Sequence, residues 1–332
     1  MRELAFAVIG TGFWAEFQMA AWGEVPNARL VAVCDRDVEK AAAAAKRFGV
    51  PLVFSDAEEM LRSTRLDFVD VTVGPEAHEQ LVLLAARHKL PVICQKPMAL
   101  DYAACERMVQ ACREAGSALF VHENYRWQTP MRRVKQVLDS GRIGRPVRAH
   151  IQFSLGDLRF FERQPYLFEQ RHFAMFDMGP HLFDLARFFF GEPSQVYAQE
   201  FKVQPRFAGE DVVCAVLRYD RLWCHCELSW RTTDHQVFIE GDEGSITWST
   251  DRRLSVRTST TEATESLTPE ACAWAHPDYG FAHPSIVLTN RNLLAAIAGE
   301  GTAETTGEDN LKTMRLIHLA VESAKRKEAL SV

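Results

Sequence analysis

No C-x-x-C pair occurs anywhere in the chain. Its eight cysteines are scattered over 332 residues, and the closest two, Cys224 and Cys226, share one face of a strand-like run with no second pair nearby. That excludes a disulfide scaffold or a zinc ribbon and reads as reduced, mostly buried thiols in a cytoplasmic protein. A basic surplus is missing as well. Asp and Glu outnumber Lys and Arg by 44 to 38, and Arg132-Arg133 and Arg252-Arg253 are isolated pairs, so nucleic acid is excluded as the main partner. Long hydrophobic runs are lacking too. "MRELAFAVIG" passes from one Arg into a short apolar stretch that stops at Gly10, so neither a membrane span nor a signal core is expected there. Internal repeats and low-complexity segments are absent.

What is present is the balance of a globular protein, 47% hydrophobic and 25% charged, with a length that suits two domains. Over the first 120 residues, short apolar runs (4–10, 29–35, 51–54, 67–73, 91–95, 118–122) alternate with helical patterns (14–23, 37–48, 56–63, 76–88, 101–115). Ser55 with Glu58 reads as a capping box, Asp101 as an N-cap and Gly116 as a C-cap. Near-continuous apolar strands separated by helices predict an α/β domain whose parallel sheet is covered on both faces. After a helix over 130–139 the pattern changes. Strand-like runs at 145–155, 195–204, 210–219, 221–230, 235–241 and 244–249 follow without regular helices between them, predicting a mostly antiparallel sheet. Helices are expected over 180–190 and in the tail, where Leu311, Met314, Ile317 and Val321 share a side. The expected domains are 1–123, a Rossmann doubly wound sheet, and 124–332, an α/β domain whose C-terminal helix is free to pack back on the first.

"VIGTGFWA" places Gly10, Gly12 and Ala15 in a G-x-G-x-x-A pattern between the first strand and the first helix. Gly10 permits the tight turn, Gly12 lets backbone approach a pyrophosphate, and Ala15 allows close helix–strand packing. Free N–H groups at the helix start suit phosphates, so Gly10, Thr11, Gly12, Phe13 and Trp14 are the expected contacts of a bound dinucleotide. Asp35, ending the second strand, can accept from a ribose 2′-hydroxyl and repels a 2′-phosphate, which favours NAD over NADP; the adjacent Arg36 softens that choice.

Five stretches together resemble the glucose–fructose oxidoreductase, inositol dehydrogenase and rhizopine-catabolism family (Gfo/Idh/MocA). They are "GTGFWA", "GPEAHEQLVLLAARHKLPVICQKPMA", "ENYRWQTPMRRVKQVLDSGRIGRPV", "FDMGPHLFDLARFFFG" and "TTGEDNLKTMRLIHLAVESA". The resemblance implies a Rossmann domain followed by an α/β domain with a large open sheet that often forms the interface of a homo-oligomer, a dimer or tetramer. It implies hydride transfer between NAD and a small carbohydrate. Lys96 matches the lysine of the family's E-K-P motif, which hydrogen-bonds the reacting oxygen, and Asp177 and His181 match its D-x-x-x-H pair. His181 would take the hydroxyl proton, and Asp177 would hold the substrate. The chemistry of the residues agrees: imidazole suits proton transfer near neutrality, and a cation beside the developing carbonyl oxygen stabilises it.

Gln95 stands where most relatives have Glu, Ala15 replaces a glycine, and "RHFAMFDMG" replaces a Gly-rich run before Asp177. The remaining expected contacts are His78 and Gln95 at the cofactor, and Asn124, Arg126, Arg159, Arg163 and His172 at the substrate. Aromatic faces in 153–176 suit sugar C–H faces. No gathered ligand set for a metal is visible. "QPY" and "ENYRWQ" are similar to the branch that includes pentose oxidisers such as apiose dehydrogenase. The expectation is an NAD-dependent dehydrogenase that converts an aldose at C1 to its lactone. Still open are an inositol or polyol dehydrogenase, a keto-sugar reductase, an NAD-using glycoside hydrolase, and a non-catalytic NAD-binding regulator.

Overall fold

The computed structural model describes residues 2–156, 164–269 and 282–332. Six strands, β1 (Leu4–Ile9), β2 (Ala28–Cys34), β3 (Leu52–Phe54), β4 (Phe68–Val71), β5 (Val92–Gln95) and β6 (Leu119–His122), form one sheet. Nine more form a second: β7 (Pro146–Ser154), β8 (Gln195–Phe201), β9 (Val212–Arg218), β10 (Trp223–Ser229), β11 (Gln236–Gly241), β12 (Gly244–Ser249), β13 (Arg253–Thr258), β14 (Glu262–Ser266) and β15 (Leu330–Ser331). The described α-helices are α1 (Phe13–Trp22), α2 (Val38–Phe48), α3 (Ala57–Ser63), α4 (His78–Arg87), α5 (Tyr102–Ala115), α6 (Thr129–Asp139), α7 (Phe173–Asp177), α8 (Gly179–Phe190), α9 (Ala282–Ile297) and α10 (Gly307–Arg326). No helix of the described residues is long and apolar enough to cross a membrane.

The first compact unit comprises residues up to Trp127 together with 282–314. Its sheet is wholly parallel in the order β3-β2-β1-β4-β5-β6, the doubly wound arrangement expected from alternating apolar runs and helices. Phe6 stacks on Phe68 at 4.7 Å beneath Trp22, and Val8, Ile93, Leu293 and Leu294 close the same core. The domain boundary differs from expectation: 282–314 lies with the first unit instead of the second. The polar residues of α9 explain both its place and why its periodicity hid it. Asn290 is fully buried and its Oδ1 accepts from Gln18 Nε2 at 3.2 Å and lies 3.0 Å from His122 Nε2. Ser285 accepts from Asn124 Nδ2 at 2.8 Å.

Asp70 completes this buried network, accepting from Trp22 Nε1 at 2.6 Å and Gln18 Nε2 at 2.8 Å. Burial pushes its carboxyl up to about 6, and the two donors pull it back only in part. A carboxyl with a raised folded pKa binds protons more tightly folded than unfolded, so its contribution to stability falls as pH rises from about 4 to 6. Asp70→Asn keeps an acceptor and removes the charge. Urea midpoints should show the variant gaining on the parent by about 3 kcal/mol across that window, with a constant offset above it. A difference independent of pH would refute the assignment.

Caps were partly legible. Asp101 caps α5 by accepting from Ala104 N, and Gly116 ends it with φ +67°. The expected Ser55–Glu58 box is not formed; Asp56 caps α3 instead, accepting from Glu59 N at 2.7 Å. A carboxylate one residue later captures the same free N–H groups and aligns with the helix dipole.

The second unit holds the described residues of 128–269 and 315–332. Its sheet runs β14-β13-β12-β11-β7-β10-β9-β8-β15, antiparallel except where β10 pairs parallel with β7. Strands β13 and β14 extend it beyond the expected runs. One face presents Tyr197, Phe201 and Trp223, the last two half exposed, with Arg218 over the Trp223 ring at 5.7 Å. On α10 the covered side is Thr313, Met314, Leu316, Ile317 and Ala320; Leu311 and Val321 are only half-buried, so the expected stripe is rotated toward Leu316.

Candidate active site

In a parallel doubly wound sheet, ligands bind at the carboxyl ends of the strands, where the strand order reverses. Here that edge carries Gly10 after β1, Asp35 after β2, Thr72 after β4, Gln95–Lys96 at the end of β5, and Glu123 after β6. Gly10 has φ +99°, and a Cβ there would stand 2.7–2.9 Å from Val73 and the Thr72 carbonyl carbon. Gly12, the uncapped N-cap of α1, faces open space within 4 Å. Asp35 organises the turn: its Oδ2 accepts from Thr11 N at 2.8 Å and Thr11 Oγ1 at 2.9 Å, and its Oδ1 from Asp37 N at 3.0 Å. Phe13 and Trp14 pack their rings against Phe17 in the unit's own core, which leaves their backbone N–H groups at the helix start. Arg36 is exposed.

Lys96 is half-buried at the end of β5, joined to Pro97 by a cis peptide. The register pairs Gln95 with His122, which places Lys96 beside Glu123. Glu123 is fully buried, and burial pushes its carboxyl up to about 7 against the nearby positive charges of Lys96 and Arg126. A carboxyl poised near neutrality next to an ammonium can share or exchange its proton. Sequence reasoning missed Glu123; the available signal was a carboxylate one residue past the strand that pairs with the Lys96 strand. Gln95 is buried, and its Nε2 finds no hydrogen-bond acceptor among the described residues.

Three of the expected contact residues also brace the first unit. His78 begins α4 but is fully buried, with Nδ1 at 3.0 and 3.1 Å from the Pro97 and Met98 carbonyls and Nε2 at 3.0 Å from Val73 O. It braces the segment carrying Lys96, and burial pushes its pKa below the ordinary value. Asn124 spends its amide on Ser285, and Arg126 donates to Glu304 O at 3.0 Å and pairs with Asp309 at 2.6 Å. All three are buried, and each ties the chain to another element of the same unit.

In the second unit, Asp177 ends α7 and is half-buried; His181 lies in the first turn of α8 and is 4% exposed. Pro180 sits in that first turn, where its missing N–H costs nothing. Gly179 has ordinary helical geometry, and a Cβ there would meet its neighbours at 3.8 Å. Asp184, fully buried, faces Arg187 at 3.6 Å, and Arg187 reaches Glu192 at 2.8 Å. Arg159 and Arg163 lie outside the described residues. His172 faces Glu200 and Glu210; the Glu200 carboxylate foremost, then Glu210, raises its pKa against partial burial, while burial pushes Glu210 up to about 7.

Residues 4–123 match the model of an oxidoreductase family with an NAD-binding Rossmann fold, and residues 131–247 match the GFO/IDH/MocA C-terminal domain. The chain belongs to the Gfo/Idh/MocA oxidoreductase family. It is 35% identical to a D-apiose dehydrogenase of Rhizobium rhizogenes over 98% of this chain and 96% of that one. A D-apiose dehydrogenase of Paraburkholderia graminis is 36% identical, over 98% and 88%. The crystal structure of an oxidoreductase from Agrobacterium radiobacter in complex with NAD+, L-tartaric acid and magnesium superposes with a TM-score of 0.96 at 34% identity, covering 99% of this chain and 98% of that one. This Gfo/Idh/MocA member is thus an NAD-dependent oxidoreductase acting on CH–OH groups. The first unit fits NAD: Gly10 admits no Cβ, Gly12 opens on free space, and Gln95 presents an enclosed, unused N–H group.

Proposed function

We propose that this enzyme oxidises a small aldose at C1 to its lactone, with D-apiose the first substrate to test. The observation that carries this reading is the pair of D-apiose dehydrogenases matched at 35–36% identity over nearly the whole chain, together with the retention of Lys96, Asp177 and His181. NAD, when bound, accepts the hydride from the carbinol carbon. The backbone of Gly10, Thr11, Gly12, Phe13 and Trp14 would hold its pyrophosphate, and Asp35 would accept from its ribose and repel a 2′-phosphate. Lys96 donates to the reacting oxygen, with Glu123 beside it as the compensating carboxyl where Gln95 has lost the family's charge. His181 takes the hydroxyl proton, and Asp177 holds the substrate; His172, just before the helix that ends in Asp177, faces two carboxylates and is the weaker candidate for a contact.

Mixing the protein with NAD and a panel of aldoses, inositols and keto-sugars tests this. NADH should form with D-apiose or a close aldose, and the product should be trapped by hydroxylamine as a lactone is. NADH formation from inositols alone would move the assignment to a polyol, and sugar release without net NADH would move it to glycoside hydrolysis. We further propose a homo-oligomer built on the sheet face that bears Phe201 and Trp223, since half-exposed aromatics on a broad sheet mark an interface. Light scattering that gives a monomer's mass would remove that proposal. The seven described cysteines are all free, which supports a reducing compartment.

A further inference from the structure

We propose that His172, Glu200 and Glu210 form a site for one divalent transition-metal ion of the zinc class. The three come from separate places: His172 from the residue before α7, Glu200 from β8, and Glu210 from the turn leading into β9. His172 Nδ1 lies 3.8 Å from Glu200 Oε2 and 3.9 Å from Glu210 Oε2, and donor atoms of all three lie within 4.8 Å of one another. Those separations are too long for direct hydrogen bonds. They suit a common ion: the centre of a triangle with such sides is about 2.5 Å from each corner, against about 2.0–2.2 Å for Zn–N and Zn–O bonds. Side-chain rotations of a few tenths of an ångström would close the difference.

Burial of the donor atoms adds to that spacing. His172 Nδ1 and Glu200 Oε2 are themselves shut off from solvent yet make no hydrogen bond among the described residues, in side chains that are 42% and 30% exposed overall, and the Glu210 side chain is only 4% exposed. Enclosed polar atoms that face one another without bonding are costly unless something satisfies them. Arg171 next door is exposed and forms no ion pair with either glutamate among the described residues. The scaffold holds the donors in place. Glu210 Oε1 accepts from Met175 N at 3.0 Å, which leaves Oε2 for the cluster. Asp211 secures the turn by accepting from Val203 N and Gln204 N.

One imidazole and two carboxylates supply three donors and leave a fourth position for water, a set that zinc accepts readily. Magnesium and calcium favour six or more oxygens and gain little from the imidazole. The ion would bind the chain just ahead of α7, which ends in Asp177, to the β8–β9 hairpin, and it stands independently of which sugar is oxidised.

The test uses the full chain, stripped with a chelator and titrated with Zn2+ and, separately, Mg2+, followed by calorimetry and thermal unfolding. The parent should bind one zinc per chain, melt about 3 °C or more higher with zinc, and show at least 100-fold weaker binding of magnesium. Glu200→Gln and His172→Gln should each weaken zinc binding at least 100-fold and abolish the melting shift, while their zinc-free melting points show that they fold. Failure of the parent to bind zinc overturns the proposal, as does zinc binding that both variants leave unchanged.

Discussion

Lys96→Ala and His181→Ala are each expected to lower kcat by a factor on the order of 10²–10⁴, the usual loss when a positioned acid–base or electrostatic group is removed. The two should differ in what they leave behind. His181 lies in the second unit on α8, and its loss should leave NAD affinity within about twofold. Lys96 stands beside the buried Glu123, whose carboxyl sits near 7 partly because Lys96 holds it down. Removing that cation should raise Glu123 further, so the acid limb of the variant's residual pH profile should move to higher pH. Stopped-flow turnover and fluorescence titration with NADH would measure both. Retained turnover in His181→Ala would end its assignment as the base. An unshifted limb in Lys96→Ala would separate Glu123 from the chemistry.

Gly10→Ala should be the most damaging single-methyl change in the first unit. The backbone there has φ +99°, strained for any residue with a Cβ, and the added carbon would stand 2.7–2.9 Å from Val73 and Thr72. The nearest atom is Val73 Cγ1, and the other two are backbone of β4's exit, which Thr72 Oγ1 ties to Gly10 O at 2.7 Å and which therefore resists retreat. The strain is about 2–4 kcal/mol, and the turn should relieve part of it by opening. NAD affinity is therefore expected to fall by about 100-fold, with a lower melting temperature in the absence of cofactor. Gly12→Ala is the control: its Cβ meets nothing within 4 Å, so the apo protein should melt within a degree or two of the parent. Equal melting of the parent and Gly10→Ala would show that the turn is not under this constraint.

The first sheet could be read from sequence because each element announces itself locally. Apolar runs of four to seven residues alternate with capped helices, and right-handed crossovers leave few ways to arrange them. The dinucleotide turn was legible for the same reason: Gly10, Gly12 and Asp35 act through backbone geometry within 25 residues. The helix over 282–297 was not legible. Ser285, Thr289 and Asn290 are wholly buried there, and a burial pattern that includes polar residues carries no apolar period. The same hidden network joins Asn124 to Ser285, while Arg126 pairs with Asp309. Neither commitment could be seen while their partners lay more than 150 residues away.

By itself the sequence determined the two sheet types, the nucleotide turn and the family, through short-range spacing. The tertiary structure alone decided which polar residues are spent on holding the fold, that Glu123 stands beside Lys96, and that His172 meets Glu200 and Glu210. These depend on strand register and on contacts between distant segments, and a side chain's partner across such distances is set by packing, which no local pattern records.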